Sequence, residues 1–150
     1  MKQLARGLAL LALFCLPAAT SAADTAYHQI VDGVAIYIGI VPAELVRGHP
    51  PEHTEAIMHG GVPVGESHLT VAVYDAKSGR RIRNAAVTAR ITDDRGLNMR
   101  KTLEPMLIAD SPTFGNYVSM RGAGPYRIEI EIRVPGRTKA VIATFTWARS

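Results

Sequence analysis

Imidazole, thioether and carboxylate are the reactive groups that this chain brings close together. Its five histidines, His28, His49, His53, His59 and His68, all fall in the first half of 150 residues. The spacings His49-x3-His53, Met58-His59 and Glu66-x-His68 gather the three donor types into a short span. Imidazole binds zinc, copper, iron and nickel, whereas a thioether favours copper(I). A His/Met set therefore suits copper, or iron if Glu66 joins. None of the spacings is that of a zinc finger or of His-Glu-x-x-His, so the pattern alone does not fix a site. An unliganded, pH-sensitive surface is the competing reading of the same cluster.

Two further residues carry alternatives. His68 sits in Ser67–Asp75, on the face opposite Leu69, Val71 and Val73. It is either an outward polar residue or an imidazole that a strand holds more rigidly than a loop would. Met106 follows Pro105, which marks a strand edge or bulge. Such a break can turn the sulfur outward, while a methionine filling a gap in the core is the other reading. Met99 and Met120 lack such a context and read as packing or surface. No Ser-His-Asp order, Gly-rich phosphate loop or paired-carboxylate constellation stands out, so no enzyme is expected.

The elements that must position these groups read as strands. His28–Val41, Ser67–Asp75, Ala85–Thr92, Leu97–Leu103, Met106–Ala109, Tyr117–Met120, Tyr126–Val134 and Lys139–Trp147 are short runs bounded by Gly, Pro, Asp and Ser. In Arg127–Val134 the alternation is strict, which makes Ile128, Ile130, Ile132 and Val134 core and the charged stripe a solvated face. No helical period is sustained beyond the N-terminal segment. The fold class is all-β, an antiparallel immunoglobulin-like β-sandwich of about seven strands with one long loop. That loop, Leu45 to Glu66, carries no strand or helix signal. Loops of this length are uncommon in compact domains and tend to be functional or disordered.

The N-terminus reads as an export signal. Lys2 and Arg6 precede an apolar run from Leu8 to Leu16, and Pro17 leads into small residues ending at Ala23. The run is too short for a membrane span, which takes about 20 apolar residues. Residues 1–23 are thus a signal peptide, and 24–150 are the sandwich domain. Cleavage removes Cys15, the only cysteine, and two of the 17 basic residues, halving the net charge of +4. The remaining balance gives no case for nucleic acid, which calls for a basic stripe with aromatics.

One stretch resembles a known family. Glu104-Pro105-Met106, then Ala109-Asp110-Ser111-Pro112-Thr113-Phe114-Gly115, then Met120-Arg121-Gly122-Ala123-Gly124-Pro125-Tyr126 is similar to the periplasmic iron-transport-associated proteins. Their pattern runs Met-Pro-Met, Asp-Gly-Pro-His-Tyr-Gly and Met-x-Gly-x-Gly-x-Tyr, and their Asp-x-His resembles Glu66-Ser67-His68. The resemblance covers roughly Glu66 to Val134. It implies an immunoglobulin-like sandwich that binds copper or iron through Met and His beside an inner-membrane permease, with His68 and Met106 as ligands. The chain departs from the pattern at Thr113, where the family has histidine, so a replacement ligand is expected from the His49–His59 stretch. Tyr74 to Val87 also resembles YtkA-like exported sandwich domains, which speaks to fold alone.

The expected function is a periplasmic copper or iron carrier or chaperone supporting an inner-membrane metal transporter or other envelope protein. Its expected ligands are His68, Met106, His59, Met58, His53 and Glu66. The alternative is a non-metal interaction module docking on a membrane complex through residues 45–66, with Leu45, Val46, Ile57 and Val62 as its apolar patch. Exposed edge strands leave a homodimer open.

Overall fold

Period-two alternation, clearest in Ala86–Thr92 and Tyr126–Arg133, gives the strands an apolar face, and burial of these faces against each other dictates the architecture. Residues 26–46 and 65–149 are described by a computed structural model. Eight strands run through them: β1 (His28–Val31), β2 (Val34–Pro42), β3 (Ser67–Asp75), β4 (Ala86–Thr92), β5 (Asn98–Ile108), β6 (Ser111–Val118), β7 (Tyr126–Arg133) and β8 (Val141–Trp147). A single helical turn, α1 (Ala43–Val46), follows β2. The fold is all-β and antiparallel, with eight strands where about seven were expected. Among the described residues no helix is long and apolar enough to cross a membrane.

The differences from expectation lie at turns. His28–Val41 is two strands, broken at Asp32-Gly33, both at positive φ (49° and 73°). Two successive left-handed residues make the two-residue turn that matches hairpin twist, and Asp-Gly is a favoured pair for it. β6 begins at Ser111, well before Tyr117, because Ala109 and Asp110 (φ 45° and 61°) turn the chain without a glycine to announce it. Conversely, the expected gap between Leu103 and Met106 is absent. β5 runs through it, pairing with β4 up to Leu103 and with β6 from Glu104. Pro105 falls just past this change of partner, a discontinuity where a missing N–H is tolerated.

The strand order is β1-β2-β3-β6-β5-β4-β7-β8, so β5 carries the sheet from one layer to the other. Ile36, Leu69, Val71, Val73 and Phe114 of one layer pack on Val87, Ile91, Leu103, Ile128, Ile130, Ile132 and Phe145 of the other. The expected isoleucine stripe is fully buried, with Ile128, Ile130 and Ile132 at 0% exposure. Its charged counterpart lies outside, where Glu131 meets Arg133 at 2.6 Å and Arg100 at 3.1 Å. The two ends of the strand order also meet. The Gln29 side chain on β1 donates to the Thr144 carbonyl (2.7 Å) and accepts from the Thr144 N–H (3.2 Å), standing in for a ladder pair with β8.

Candidate metal centre

Directly opposed residues of an antiparallel pair share a face, which defines the outer surface of the layer holding β3, β6 and β5. His68 is opposite Tyr117, Thr70 opposite Gly115, and Glu104 opposite Gly115 from the other side; Met106 is opposite Thr113. Gly115 is therefore the middle of a small grid, with His68 and Met106 at diagonal corners. Both long side chains turn inward across it. A Cβ placed on Gly115 would meet Met106 Sδ inside the 3.0 Å limit of real Cβ contacts and would lie 3.2 Å from His68 Nε2. Gly115 has no positive φ, so space, not backbone conformation, explains the glycine here.

Outer-face side chains normally meet water, yet His68 is 2% exposed and Met106 4%. The imidazole leans against Tyr117, ring centroids 5.0 Å apart and planes tilted by 41°. Behind it Asn116 stitches β6 to β5 at the point where β5 changes partner. Its Nδ2 donates to the Thr102 carbonyl (2.9 Å) and its Oδ1 accepts from the Tyr117 N–H (2.8 Å). The wall that orients Met106 is thus held by a buried, satisfied amide.

The pair fits a soft metal ion in one respect: an imidazole nitrogen and a thioether sulfur border the same volume, which the missing Cβ leaves clear. Among the described residues no group of three or more His, Cys, Asp or Glu side chains could hold a metal.

The other expected ligands divide in two. Glu66 is half-buried one residue before β3, and its backbone carbonyl accepts the Ala43 N–H at 2.9 Å. His53, Met58 and His59, like His49 and the export signal, lie outside the described residues. His28 stands apart on β1, stacked on Tyr37 at 4.3 Å. Of the other methionines, Met120 is fully buried and Met99 half-buried against the core.

Thr113 occupies the position at which the resembled family carries histidine, and its hydroxyl is engaged. It donates to the Ser111 carbonyl (3.2 Å) and accepts from Arg81 Nη1 (3.3 Å). Arg81 also donates to the Pro112 carbonyl and the Tyr74 hydroxyl, and its guanidinium lies 4.6 Å from the Tyr74 ring centroid. Neither Gly115 nor Arg81 emerged from sequence reasoning. A glycine inside the strand-like run Phe114–Tyr117 is a signal of close approach and would have pointed to the first. Arg81 carried no such signal, since an arginine after a turn reads as a solvated charge.

No curated protein matches the chain. Solved structures do match in fold. A copper-bound variant of FetP from uropathogenic Escherichia coli superposes with a TM-score of 0.63 at 14% identity, covering 81% of this chain and 93% of that one. A copper-reconstituted protein of Campylobacter jejuni gives 0.65 at 16% identity, covering 82% and 92%. A DUF4426 family protein from Pseudomonas aeruginosa gives 0.65 at 14% identity, covering 81% and 91%. At such identities these likenesses establish the sandwich alone. The family is shown by sequence: a model described as Fe2+ transport protein matches residues 49–146, well over half of the chain, and the chain belongs to that family.

Proposed function

We propose that the protein is a periplasmic carrier of copper or iron, not an enzyme, and that it hands its ion to an inner-membrane metal transporter. The observation that carries this reading is the convergence of His68 Nε2 and Met106 Sδ on the space above Gly115. Membership of the Fe2+ transport protein family and the copper-bound state of FetP, a fold relative, support it. Two donors on β3 and β5, the strands that flank β6, make a half-site. His53, Met58, His59 and Glu66 are the candidates to complete it, and all precede or border β3 in the chain. A half-site completed from a separate segment suits a carrier, because release requires only that the supplementary donors leave. The apolar run, Lys2 and Arg6 at the N-terminus support export.

Titration of the purified protein with Cu(I), Cu(II) and Fe(II) tests the proposal. Binding tighter than about micromolar for at least one of them is expected, with a loss of tenfold or more (about 1.4 kcal/mol) in His68→Ala and in Met106→Ala. Affinity unchanged in both variants would refute it.

A further inference from the structure

Arginine keeps its charge at every accessible pH, and a guanidinium is planar and held by its forked donors. Arg81 uses that fork to lock itself onto the outer face of the layer. Its backbone forms a bridge to Tyr74, and its guanidinium is anchored at the Tyr74 hydroxyl, the Pro112 carbonyl and Thr113 Oγ1. The residue is half-buried, so its charge is screened less than that of a free surface arginine. Thr113 in turn stands directly across from Met106. A fixed positive charge is thereby held at Thr113, the residue paired with Met106 across the β5–β6 ladder.

Two acidic residues also border this grid. Glu104 is across from Gly115 and Asp110 sits in the β5–β6 turn, and both are exposed. Outer-face neighbours on β2 and β3, namely Tyr37, Gly39, Val41, Thr70 and Ala72, are uncharged. His68 and Met106 bring no anion of their own; the half-buried Glu66, two residues before His68, is the carboxylate that would offset the guanidinium if it joined the site.

We infer that Arg81 is a selectivity residue, making the His68–Met106 site discriminate against divalent ions in favour of a monovalent one, Cu(I). The inference rests on the reading of that site as a metal site. Opposed residues have Cβ atoms about 5 Å apart, which places the Arg81 charge within roughly 8 Å of the Met106 sulfur. At that separation each additional unit of ion charge is disfavoured about two- to thirtyfold, as the effective dielectric constant ranges from about 80 down to 20. Thioether softness acts in the same direction, but it belongs to Met106 and survives changes at Arg81.

The experiment compares Cu(I) and Cu(II) affinities of the wild type, Arg81→Gln, Arg81→Met and Arg81→Lys. Both neutral variants should narrow the preference for Cu(I) over Cu(II) by about tenfold, which lowers the bound copper midpoint potential by about 59 mV. Arg81→Lys should retain most of the preference. Three results overturn the inference. One is a neutral variant that is folded by circular dichroism with its preference unchanged. Another is Arg81→Lys shifting as far as Arg81→Gln, which assigns the effect to lost anchoring. The third is Glu104→Gln shifting the preference more than Arg81→Gln does. A wild type that binds no copper, or binds it independently of His68 and Met106, overturns the site itself and is distinguished from these by the wild-type and alanine titrations.

Discussion

Gly115→Ala is the sharpest single probe of the site, because it adds one methyl group at the point where the two donors converge. Backbone strain does not enter, as Gly115 has no positive φ. The new Cβ would press on Met106 Sδ, lie 3.2 Å from His68 Nε2 and 3.3 Å from the Leu69 carbonyl. The thioether is the softest of the three neighbours and can swing away, whereas the carbonyl belongs to the β3 ladder and the imidazole is packed on Tyr117. Overpacking of this kind costs about 1–3 kcal/mol. Replacing a strand glycine returns roughly 0.5–1 kcal/mol. The net change is therefore a loss of about 0–2.5 kcal/mol, which leaves the fold intact and is readable as a lower urea midpoint. Metal affinity should fall even where the stability change is near zero, since the relief that saves the fold moves the sulfur out of the shared volume. A loss of at least tenfold, about 1.4 kcal/mol, is expected for Cu(I). A folded Gly115→Ala protein with wild-type Cu(I) affinity would show that His68 and Met106 do not act on one ion above this glycine.

Two other expectations concern the frame. Asp93 accepts from the N–H groups of Leu97 (2.8 Å) and Arg95 (3.0 Å) in the β4–β5 turn. Burial pushes its carboxyl up, but these donors and the Arg95 side chain outweigh that and hold it below the ordinary value of 3.8. A depressed folded value means stabilisation present above the unfolded value and lost as pH falls through the folded one. Asp93→Asn should thus be less stable than wild type in urea at pH 7, with the gap closing below about pH 4; a gap independent of pH would refute the assignment. Gln29→Ala removes both bonds that tie β1 to β8 and should cost about 1–2 kcal/mol. Hydrogen exchange should then accelerate in β1 and at Thr144 first, and uniform acceleration across all strands would contradict a local closure.

Strand alternation was the most readable property of this chain. Ser67–Asp75 is β3 to the residue, and the isoleucines of Arg127–Val134 are core, because one buried face imposes a period of two on side-chain type. Turns were readable only where residue type and conformation coincide. Pro135-Gly136 announced itself, while Ala109-Asp110 did not, since an alanine is not a usual occupant of positive φ and the aspartate after it is no turn signal by itself. Asp32-Gly33 did carry the hairpin signal, but the apolar run around it masked the break. β5 was split at Pro105 by a rule that holds inside a ladder, and fails here because Pro105 lies where one ladder hands over to another.

The two candidate donors were legible as residue types and their surroundings were not, for a physical reason. Donor chemistry belongs to a residue type, so His68 and Met106 could be named from sequence. Their convergence depends on the register of β3 against the β5–β6 hairpin, from which β4 separates it along the chain. No local pattern encodes that register, and with it goes the meaning of Gly115, which is a cradle only because His68 and Met106 turn toward each other above it. The same holds for Thr113. Read alone it is a lost ligand, a histidine replaced by a residue that binds copper poorly. Placed in the grid, it is the acceptor that fastens the Arg81 guanidinium at the position paired with Met106. On the selectivity inferred for Arg81, the two residues should therefore separate in experiment: Met106→Ala should lower affinity for copper in either oxidation state, whereas Arg81→Gln should chiefly change the preference between them.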